Sequence, residues 1–338
     1  MRDPLPPKAN NRELAQLEGI RRRAAVLAGG AVRLGIGDDC ALLRIKPDEE
    51  IAITTDLSIT GRHFRLEWHS PEAVGHRTLA RGLSDIAAMG ARPVAAFLSL
   101  GLPRDLTVKK GRKAPWIEGF LDGFLALASQ HRTPLAGGDL AESPLAAADI
   151  VLVGVVPRGK ALLRSGARPG DLLYVTGALG GAAAGLEQLR KLGSKKAAAL
   201  SKKVGKDSLA PHLRPQPRIT QGLWLQRGGA ATAAIDISDG LSTDLDHICV
   251  ESRVSAEVDA ASLPVYPGAT LEQALHGGED YELLFTAPPG ASIPRRIAGV
   301  PITRIGRIVK RRAGQPRIAL LSATGRCPLA RLGWEHFA

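Results

Sequence analysis

Cysteine and aromatic residues are scarce in this chain of 338 residues. Its three cysteines, Cys40, Cys249 and Cys327, lie far apart and form no Cys-x-x-Cys pair. This spacing argues against a disulfide framework or a zinc ribbon, and it predicts a reducing compartment. Because Phe, Trp and Tyr make up only 4% of the residues, the core must depend on Ala, Leu, Val and Ile.

Long apolar runs and the common cofactor motifs are missing as well. No stretch approaches the length of a membrane span, and the N-terminal residues lack the apolar run of a signal peptide. We therefore expect a cytoplasmic protein without a membrane partner. The phosphate loop Gly-x-x-x-x-Gly-Lys-[Ser/Thr], the zinc motif His-Glu-x-x-His and the dinucleotide fingerprint do not occur. If the chain handles phosphates, it uses another scaffold.

Acidic residues are outnumbered by basic ones, 33 to 45, which gives a formal net charge of +12 and a pI near 10.0. A nucleic-acid-binding protein would concentrate Lys and Arg on one face with interleaved aromatic residues. Here arginine is scattered, and the only dense basic run is residues 190–206. The charge therefore favours attraction of small anionic substrates over binding of nucleic acid.

The pattern of apolar residues predicts two α+β units. We expect strands at residues 51–58, 93–102, 148–156, 172–176, 232–237, 254–258, 281–286, 302–309 and 317–321. We expect helices at residues 11–27, after Ser70-Pro71, and at 116–129, 181–192, 218–227 and 241–251. The order restarts after residue 157, which predicts domains at residues 1–157 and 158–338. Strict alternation of strand and helix is lacking, so the pattern favours α+β layers over a doubly wound sheet.

Carboxylates placed beside glycines or hydroxyls are what the chain does have. They occur in Gly35-Ile36-Gly37-Asp38-Asp39, Thr54-Thr55-Asp56, Ser84-Asp85, Gly137-Gly138-Asp139, Asp236-Ile237-Ser238-Asp239-Gly240 and Gly277-Gly278-Glu279-Asp280. Oxygen ligands of this kind suit hard cations, and glycine lets the backbone approach a ligand closely. Since such cations commonly hold phosphates, the pattern predicts Mg²⁺-dependent nucleotide chemistry.

Each of these segments also has a simpler interpretation. Residues 35–39 could form a hairpin turn, residues 137–139 a plain turn, and residues 54–56 a polar strand end. Ser238 or Asp239 could cap the helix that follows. The acids before the strand at 281–286 could be a solvated entrance, above all Glu282, and His63 could be an ordinary surface residue. Taken singly, the segments do not decide between these alternatives.

Read together and in order, the segments resemble the thiamine-monophosphate kinases, in the superfamily of aminoimidazole ribonucleotide synthetase. The matching stretches are GIGDDCAL, TTDLSITGRHF, LSDIAAMGARP, GGD, RSGARPGD, HLRPQPRI, DISDGLSTDL, GGEDYELLFT and WEHF. The resemblance covers nearly the whole chain. It implies an N-terminal α+β domain whose sheet or barrel spans a homodimer, and a C-terminal α/β domain that completes each site.

The resemblance also implies the reaction, in which ATP and thiamine monophosphate give thiamine diphosphate and ADP on a scaffold of several Mg²⁺ ions. It implies no general base, because the acceptor phosphate oxygen is already anionic. The residues that look like Mg²⁺ ligands are Asp39, Thr54, Thr55, Asp56, Asp85, Asp139, Asp236 and Asp239. The residues that look like ATP contacts are Gly138, Arg164 and Ser238, and those that look like substrate contacts are His63, Glu279 and Trp334.

Three rival functions can be weighed on the sequence. A selenophosphate synthetase needs a reactive cysteine near its N-terminal glycine-rich region, yet no cysteine precedes Cys40. A hydrogenase maturation factor needs a C-terminal cysteine, whereas the last five residues are WEHFA. A nucleic-acid-binding protein would be opposed by the acidic cluster, which repels a polyanion. All three are disfavoured.

Overall fold

The computed structural model describes residues 12–25, 29–109, 111, 114–193 and 208–335. Its α-helices, α1 to α8, are Arg12–Ala24, Pro71–Ala88, Trp116–Gln130, Gly181–Leu192, Ala210–Leu213, Ile219–Gly228, Leu241–Glu251 and Leu271–His276. Its strands β1 to β7 are Val32–Leu34, Leu42–Leu43, Glu49–Ile59, Arg92–Leu102, Leu135–Glu142, Ala147–Pro157 and Leu172–Thr176. Strands β8 to β14 are Ala233–Asp236, Ser255–Asp259, Leu283–Ala287, Arg296–Ile297, Val300–Val309, Ile318–Ser322 and Gly325–Pro328.

The N-terminal half is built on a four-stranded sheet in the order β3-β6-β4-β5. The pairs β3–β6 and β6–β4 are antiparallel, and β4–β5 is parallel. Helices α2 and α3 cover one face, here called the inner face. Leu79 and Leu83 of α2 pack there with Phe120 and Phe124 of α3 over the buried strand residues. Ser70 caps α2 by accepting a hydrogen bond from the Ala73 amide at 3.3 Å, with Pro71 at the first helical position, as the sequence predicts.

The opposite, outer face of this sheet is only partly covered. The short hairpin of β1 and β2 lies beside Val94, Val153 and Val155. On the edge strand β3, the side chains of Ile51, Ile53 and Leu57 remain exposed, and Ile53 is 64% exposed. Alternate residues of a strand point to opposite faces, so these three form one apolar row on the outer face. A row of this kind is unusual for an isolated sheet edge.

The C-terminal half is built on a second, mostly antiparallel sheet in the order β14-β13-β9-β12-β7-β10-β8, with β11 paired to β12. Helix α7 packs against this sheet through Leu241, Leu245 and Ile248, which lie at helical spacing. The two halves meet where α2 crosses α6 and approaches β8. At the crossing a Cβ on Gly222 would lie 2.0 Å from the Ala87 carbonyl oxygen, so only glycine allows this approach.

The predicted α+β fold class is confirmed, and each predicted strand or helix has a counterpart within a few residues among those the structure describes. The interpretation of Gly137-Gly138-Asp139 as a plain turn was wrong, because this segment lies inside β5. Strand β5 was hidden by its two glycines, which are poor strand formers. Residues 194–207, which include most of the basic run, lie outside the described residues. None of the helices that are described has the length and apolarity that crossing a membrane requires.

Candidate active site

A cavity of about 490 Å³ opens between the two halves. The loop between β3 and α2, the helices α2 and α4, and the turns at residues 236–240 and 277–281 form its walls. Eight of the predicted site residues line it, namely Asp56, His63, Asp85, Asp236, Ser238, Asp239, Glu279 and Trp334. Segments that are nearly 300 residues apart in sequence therefore line the same cavity.

The N-terminal wall is formed by β3 and α2. Thr54 and Asp56 alternate with Thr55 along β3, so their side chains point to the inner face, toward α2. The Thr54 hydroxyl donates to the Asp85 carboxylate at 2.5 Å. Arg81 donates to both oxygens of Asp56, at 2.7 and 2.8 Å. This two-point pairing holds the Asp56 carboxylate beside Asp85.

Asp236 brings a carboxylate from the C-terminal half to the same place. It ends β8, and its Oδ2 accepts a hydrogen bond from the Ser84 hydroxyl of α2 at 2.6 Å. Burial raises the pKa of Asp236 to about 7, and the charge of Asp85 adds to the rise. Burial also raises the pKa of Asp85, which the Thr54 hydrogen bond opposes and the charge of Asp56 reinforces. The acids therefore repel one another, as expected for a site completed by a cation.

The turn after Asp236 shows why Ser238 and Asp239 face the cavity. Neither one caps α7, which begins at Leu241 with Gly240 at the N-cap position and no side-chain capping hydrogen bond. Asp244 fills that role instead, since one of its oxygens accepts hydrogen bonds from the amides of residues 238, 239 and 240 at 3.0–3.1 Å. The capping interpretation of Ser238 and Asp239 was therefore wrong, and both residues line the cavity.

Glu279 lies in the cavity wall formed by the turn at residues 277–281, and Arg81, the partner of Asp56, lies 4.0 Å from its carboxylate. Its backbone has a φ of 69°, in the left-handed region that a glutamate rarely adopts. Arg77 of α2 donates to its carboxylate at 2.7 Å. Burial, the largest single effect, would raise the pKa of Glu279, but the charge and hydrogen bond of Arg77 together with the charge of Arg81 bring the pKa below its usual value. Glu279 is therefore an anion here, held in a strained turn at a cavity wall.

The two acids after Glu279 are structural. Asp280 accepts hydrogen bonds from the amides of Gly180 and Ala182 at 2.6 and 3.1 Å, which fixes the start of α4. Glu282 is buried and pairs with Arg218, while the Thr176 hydroxyl donates to it at 2.6 Å. The interpretation of Glu282 as part of a solvated strand entrance was wrong. No sequence pattern predicted that the half-buried Arg218 would compensate its charge.

Six predicted residues do not line the cavity. They are Asp39, Thr54, Thr55, Gly138, Asp139 and Arg164. Thr54 stands directly behind Asp85, and the charge of Arg164 acts on Asp85 and Asp236. Thr55 and Asp139 point to the outer face, and Asp39 lies in the exposed loop between β1 and β2.

Gly138 has a structural reason to be glycine. A Cβ at this position would lie 1.9 Å from the Leu98 carbonyl oxygen of the neighbouring strand, and its φ is 148°. The pairing of β4 with β5 therefore requires glycine here, whether or not a nucleotide binds.

Several charged or titratable residues at the site were not predicted from the sequence, and four of them contact predicted residues or one another, namely His69, Arg77, Arg81 and His212. A signal was present for two of them. Arg77, Arg81 and Asp85 follow one another at intervals of four, which places them on one face of α2. His212 opens the HLRPQPRI stretch, which matched by resemblance without an assigned role.

Oxygen ligands for a metal are plentiful in this cavity. Asp56, Asp85 and Asp236 converge from both halves, and their carboxylates fit a hard divalent cation with bound phosphates. Asp239, Asp244 and His247 form a second cluster whose ligand atoms lie within 4.8 Å of one another. Since Asp244 already accepts three backbone hydrogen bonds, the first set is the better cation site.

Comparison with known families places this fold in a defined class. Residues 37–156 match the family model "AIR synthase related protein, N-terminal domain", and residues 168–318 match "AIR synthase related protein, C-terminal domain". Together the two models span most of the chain. The fold is therefore that of the AIR synthase related proteins.

Individual relatives identify a narrower family within this class. The thiamine-monophosphate kinase of Escherichia coli (strain K12) is 41% identical over 323 residues, which cover 91% of this chain and 93% of the relative. The crystal structure of thiamine-monophosphate kinase from Stenotrophomonas maltophilia K279a is 39% identical, covers 90% of this chain and 95% of its own, and has a TM-score of 0.74. A structure of AaThiL complexed with AMPPCP and TMP is 30% identical, covers 98% and 99%, and has a TM-score of 0.73. The chain belongs to the thiamine-monophosphate kinase family.

Proposed function

We propose that this protein transfers the γ-phosphoryl group of ATP directly to thiamine monophosphate, which gives thiamine diphosphate and ADP. The observation that carries the proposal is the convergence of Asp56, Asp85 and Asp236 in one cavity that Glu279 and His63 also line. The relatives bear the name of this activity, and one neighbour is complexed with AMPPCP and TMP, which fit a nucleotide and a thiamine phosphate bound together.

The proposed reaction needs no covalent step on a side chain of the protein. The acceptor oxygen belongs to a phosphate that is anionic near neutral pH, so no side chain has to remove a proton from it. What the chain supplies is position and compensation of charge. Mg²⁺, when bound, would neutralise phosphate oxygens and bridge the two substrates. Without a cation, the carboxylates at residues 56, 85 and 236 would repel both of them.

We keep the predicted roles as proposals. The Mg²⁺ ligands are Asp39, Thr54, Thr55, Asp56, Asp85, Asp139, Asp236 and Asp239. The ATP contacts are Gly138, Arg164 and Ser238, and the thiamine-phosphate contacts are His63, Glu279 and Trp334. The position of Trp334 at the cavity supports a contact between its ring and the cationic thiazolium. Among the proposed Mg²⁺ ligands, Asp85 and Asp236 have the strongest structural support, because Thr54 and Ser84 hold their carboxylates in place.

Three further proposals concern the whole molecule. The domains are residues 1–157 and 158–338, which the family matches at 37–156 and 168–318 support. The protein is a homodimer, which the exposed apolar row on β3 supports. It is cytoplasmic, which the three free cysteines support.

A direct assay tests the proposed reaction. Purified protein is incubated with ATP, Mg²⁺ and thiamine monophosphate, and thiamine diphosphate is measured by chromatography. Aminoimidazole precursors and selenide serve as alternative acceptors. We expect thiamine diphosphate and ADP in equal amounts, no use of the other acceptors, and loss of turnover in Asp56→Asn and in Asp239→Asn. Undiminished turnover in both variants would sink the proposed metal scaffold.

A further inference from the structure

Three side chains outside the predicted set form a connected chain along one wall of the cavity. They are His69, in the loop before α2, Arg77 of α2 and His212 of α5, and they are 3%, 4% and 1% exposed. One Arg77 nitrogen lies 3.3 Å from Nδ1 of His212. Nε2 of His212 lies 3.0 Å from Nε2 of His69, whose Nδ1 lies 3.0 Å from the Arg65 carbonyl oxygen.

The donors and acceptors of this chain can be assigned from chemistry. A guanidinium only donates, so Nδ1 of His212 must accept from Arg77. Neutral His212 then carries its proton on Nε2 and donates to His69. Nδ1 of His69 lies 3.1 Å from the Arg65 amide nitrogen as well as 3.0 Å from the Arg65 carbonyl oxygen. Since Nε2 of His69 accepts from His212, neutral His69 carries its proton on Nδ1 and donates to that carbonyl. Both rings are neutral because burial lowers the pKa of His69 to about 4 and that of His212 well below its usual value.

Arg77 links this chain to two of the proposed substrate contacts. Its second terminal nitrogen donates to the Glu279 carboxylate at 2.7 Å and to the His63 carbonyl at 3.2 Å. Glu279 and His63 come from opposite halves of the protein, so one buried guanidinium sets their spacing. The flat fork of arginine can do this, whereas the point charge of lysine cannot.

Resting on the proposed function, we propose that Arg77, His212 and His69 are positioning residues for thiamine monophosphate. They act through Glu279 and the His63 loop, which they hold at the separation that this substrate needs. Their hydrogen bonds within the described part of the chain include none to Asp56, Asp85 or Asp236, and the nearest link is Arg81, which pairs with Asp56 and lies 4.0 Å from Glu279. The proposal therefore separates binding of thiamine monophosphate from binding of ATP.

His76 offers a matched control for a purely structural role. It is also a buried histidine of α2, one residue before Arg77, and its Nε2 bonds to the Pro215 carbonyl at 2.8 Å. It therefore ties α2 to the same HLRPQPRI stretch as His212 does. It does not line the cavity, however, and it has no bond to Glu279 or His63.

The experiment compares His212→Gln with His76→Gln. For His212→Gln we expect the KM for thiamine monophosphate and its Kd by calorimetry to rise roughly 10- to 100-fold, the loss typical of a broken hydrogen-bond network to a charged group. The KM for ATP should change by less than about twofold, since the hydrogen bonds described for these residues include none to Asp56, Asp85 or Asp236. For His76→Gln both constants should stay within about twofold of the wild type, even if the melting temperature falls.

Three results would overturn the proposal: no rise in the thiamine-monophosphate constants, an equal rise for ATP, or the same rise in His76→Gln. If His212→Gln does not fold, Arg77→Lys replaces it, because it keeps the charge and loses the fork. We expect it to show the same selective rise, and a parallel change for both substrates would count against the proposal. Absence of turnover in the wild type would instead refute the proposed function, so the two failures are distinguishable.

Discussion

The two faces of the N-terminal sheet carry acids of very different character. On the inner face, Thr54 and Asp56 point to α2, and Asp56 and Asp85, both half-buried, meet the buried Asp236 at the cavity. On the outer face, Asp139 is exposed and its carboxylate accepts a hydrogen bond from the next amide, at 2.8 Å. The register places Asp139 and Asp149 in one row across β5, β4 and β6, beside the apolar row of β3.

This difference shows that neighbouring residues of one short motif can lie on opposite faces of a sheet. Thr54, Thr55 and Asp56 are neighbours in sequence, yet the period of two along a strand sends the middle one to the outer face. Acids on the inner face lose their water and depend on Arg81, Thr54 and Ser84. The exposed carboxylate of Asp139 keeps its water. The inner set therefore destabilises the protein without a cation, which is the usual cost of a preorganised site.

Asp236→Asn is expected to show the largest difference in activity between a substitution on the inner face and one on the outer face. Removing this charge from the inner face should lower kcat with thiamine monophosphate roughly 10²- to 10³-fold, the scale seen when one electrostatic stabiliser is lost. The matched outer-face variant, Asp149→Asn, should stay within about threefold of the wild type. Steady-state kinetics at saturating Mg²⁺ measure both. Equal losses in the two variants would remove the distinction between the faces.

A substitution on the outer face should weaken the proposed dimer. Ile53→Glu places a charge in the apolar row of β3, and in a symmetric dimer the two new charges would meet. We expect the dimer dissociation constant to rise at least roughly 100-fold, measured by light scattering across a dilution series. Thr54→Val, on the inner face of the same strand, is the control and should leave assembly unchanged. A wild-type protein that is monomeric at every concentration would contradict the proposed dimer.

Stability against pH should also distinguish the inner face. The folded pKa of Asp236 is about 7, above its unfolded value of 3.8. Its contribution to stability is therefore present below about pH 4 and is lost as the pH rises through about 7. Without Mg²⁺, the melting temperature of the wild type should fall more between pH 5 and pH 8 than that of Asp236→Asn. Identical pH profiles would show that Asp236 is not the buried acid described here.

Mg²⁺ should reverse that loss, because a bound cation favours the ionised carboxylates. We expect Mg²⁺ to raise the melting temperature of the wild type more at pH 8 than at pH 5, and to do so less in Asp236→Asn. Asp280 provides a contrast, since burial raises its pKa to about 7 as well while its partners are backbone amides of α4. In Asp280→Asn the response to Mg²⁺ should remain.

The smallest effect is expected from Ser84→Ala. This change removes one hydrogen bond to Asp236, worth about 1–2 kcal/mol, and leaves its charge in place. The apparent Mg²⁺ affinity should fall roughly three- to tenfold while kcat at saturating Mg²⁺ is nearly unchanged. A titration of activity with Mg²⁺ measures it, and Ser99→Ala on the outer face is the control. A large drop in kcat would mean that Ser84 touches the reacting groups.

Much of the fold could be predicted because local patterns agree with it. The alternation along β3 and the apolar runs of β4 and β6 each point to a strand, and Ser70-Pro71 marks the start of α2. Strand β5 could not be found, because its glycines are needed for the close pairing with β4, a tertiary requirement.

The site was predictable in part for a related reason. The acids could be recognised from their types and order, but their faces depend on strand register and helix packing. Asp244 could not be foreseen as the group that holds the turn at 238–240, nor Arg218 as the partner of Glu282. The chain through Arg77, His212 and His69 joins residues up to 143 positions apart. Contacts between residues so far apart in sequence cannot be predicted from a local sequence pattern.

The proposed reaction depends above all on carboxylates from both halves of the protein binding the same cations. Crystals grown with Mn²⁺, a non-hydrolysable ATP analogue and thiamine monophosphate test it through the anomalous signal of manganese. We expect manganese at about 2.1 Å from carboxylate oxygens of both Asp85 and Asp236. Manganese that is confined to the outer face, with Asp85 and Asp236 still paired only to Thr54 and Ser84, would contradict it.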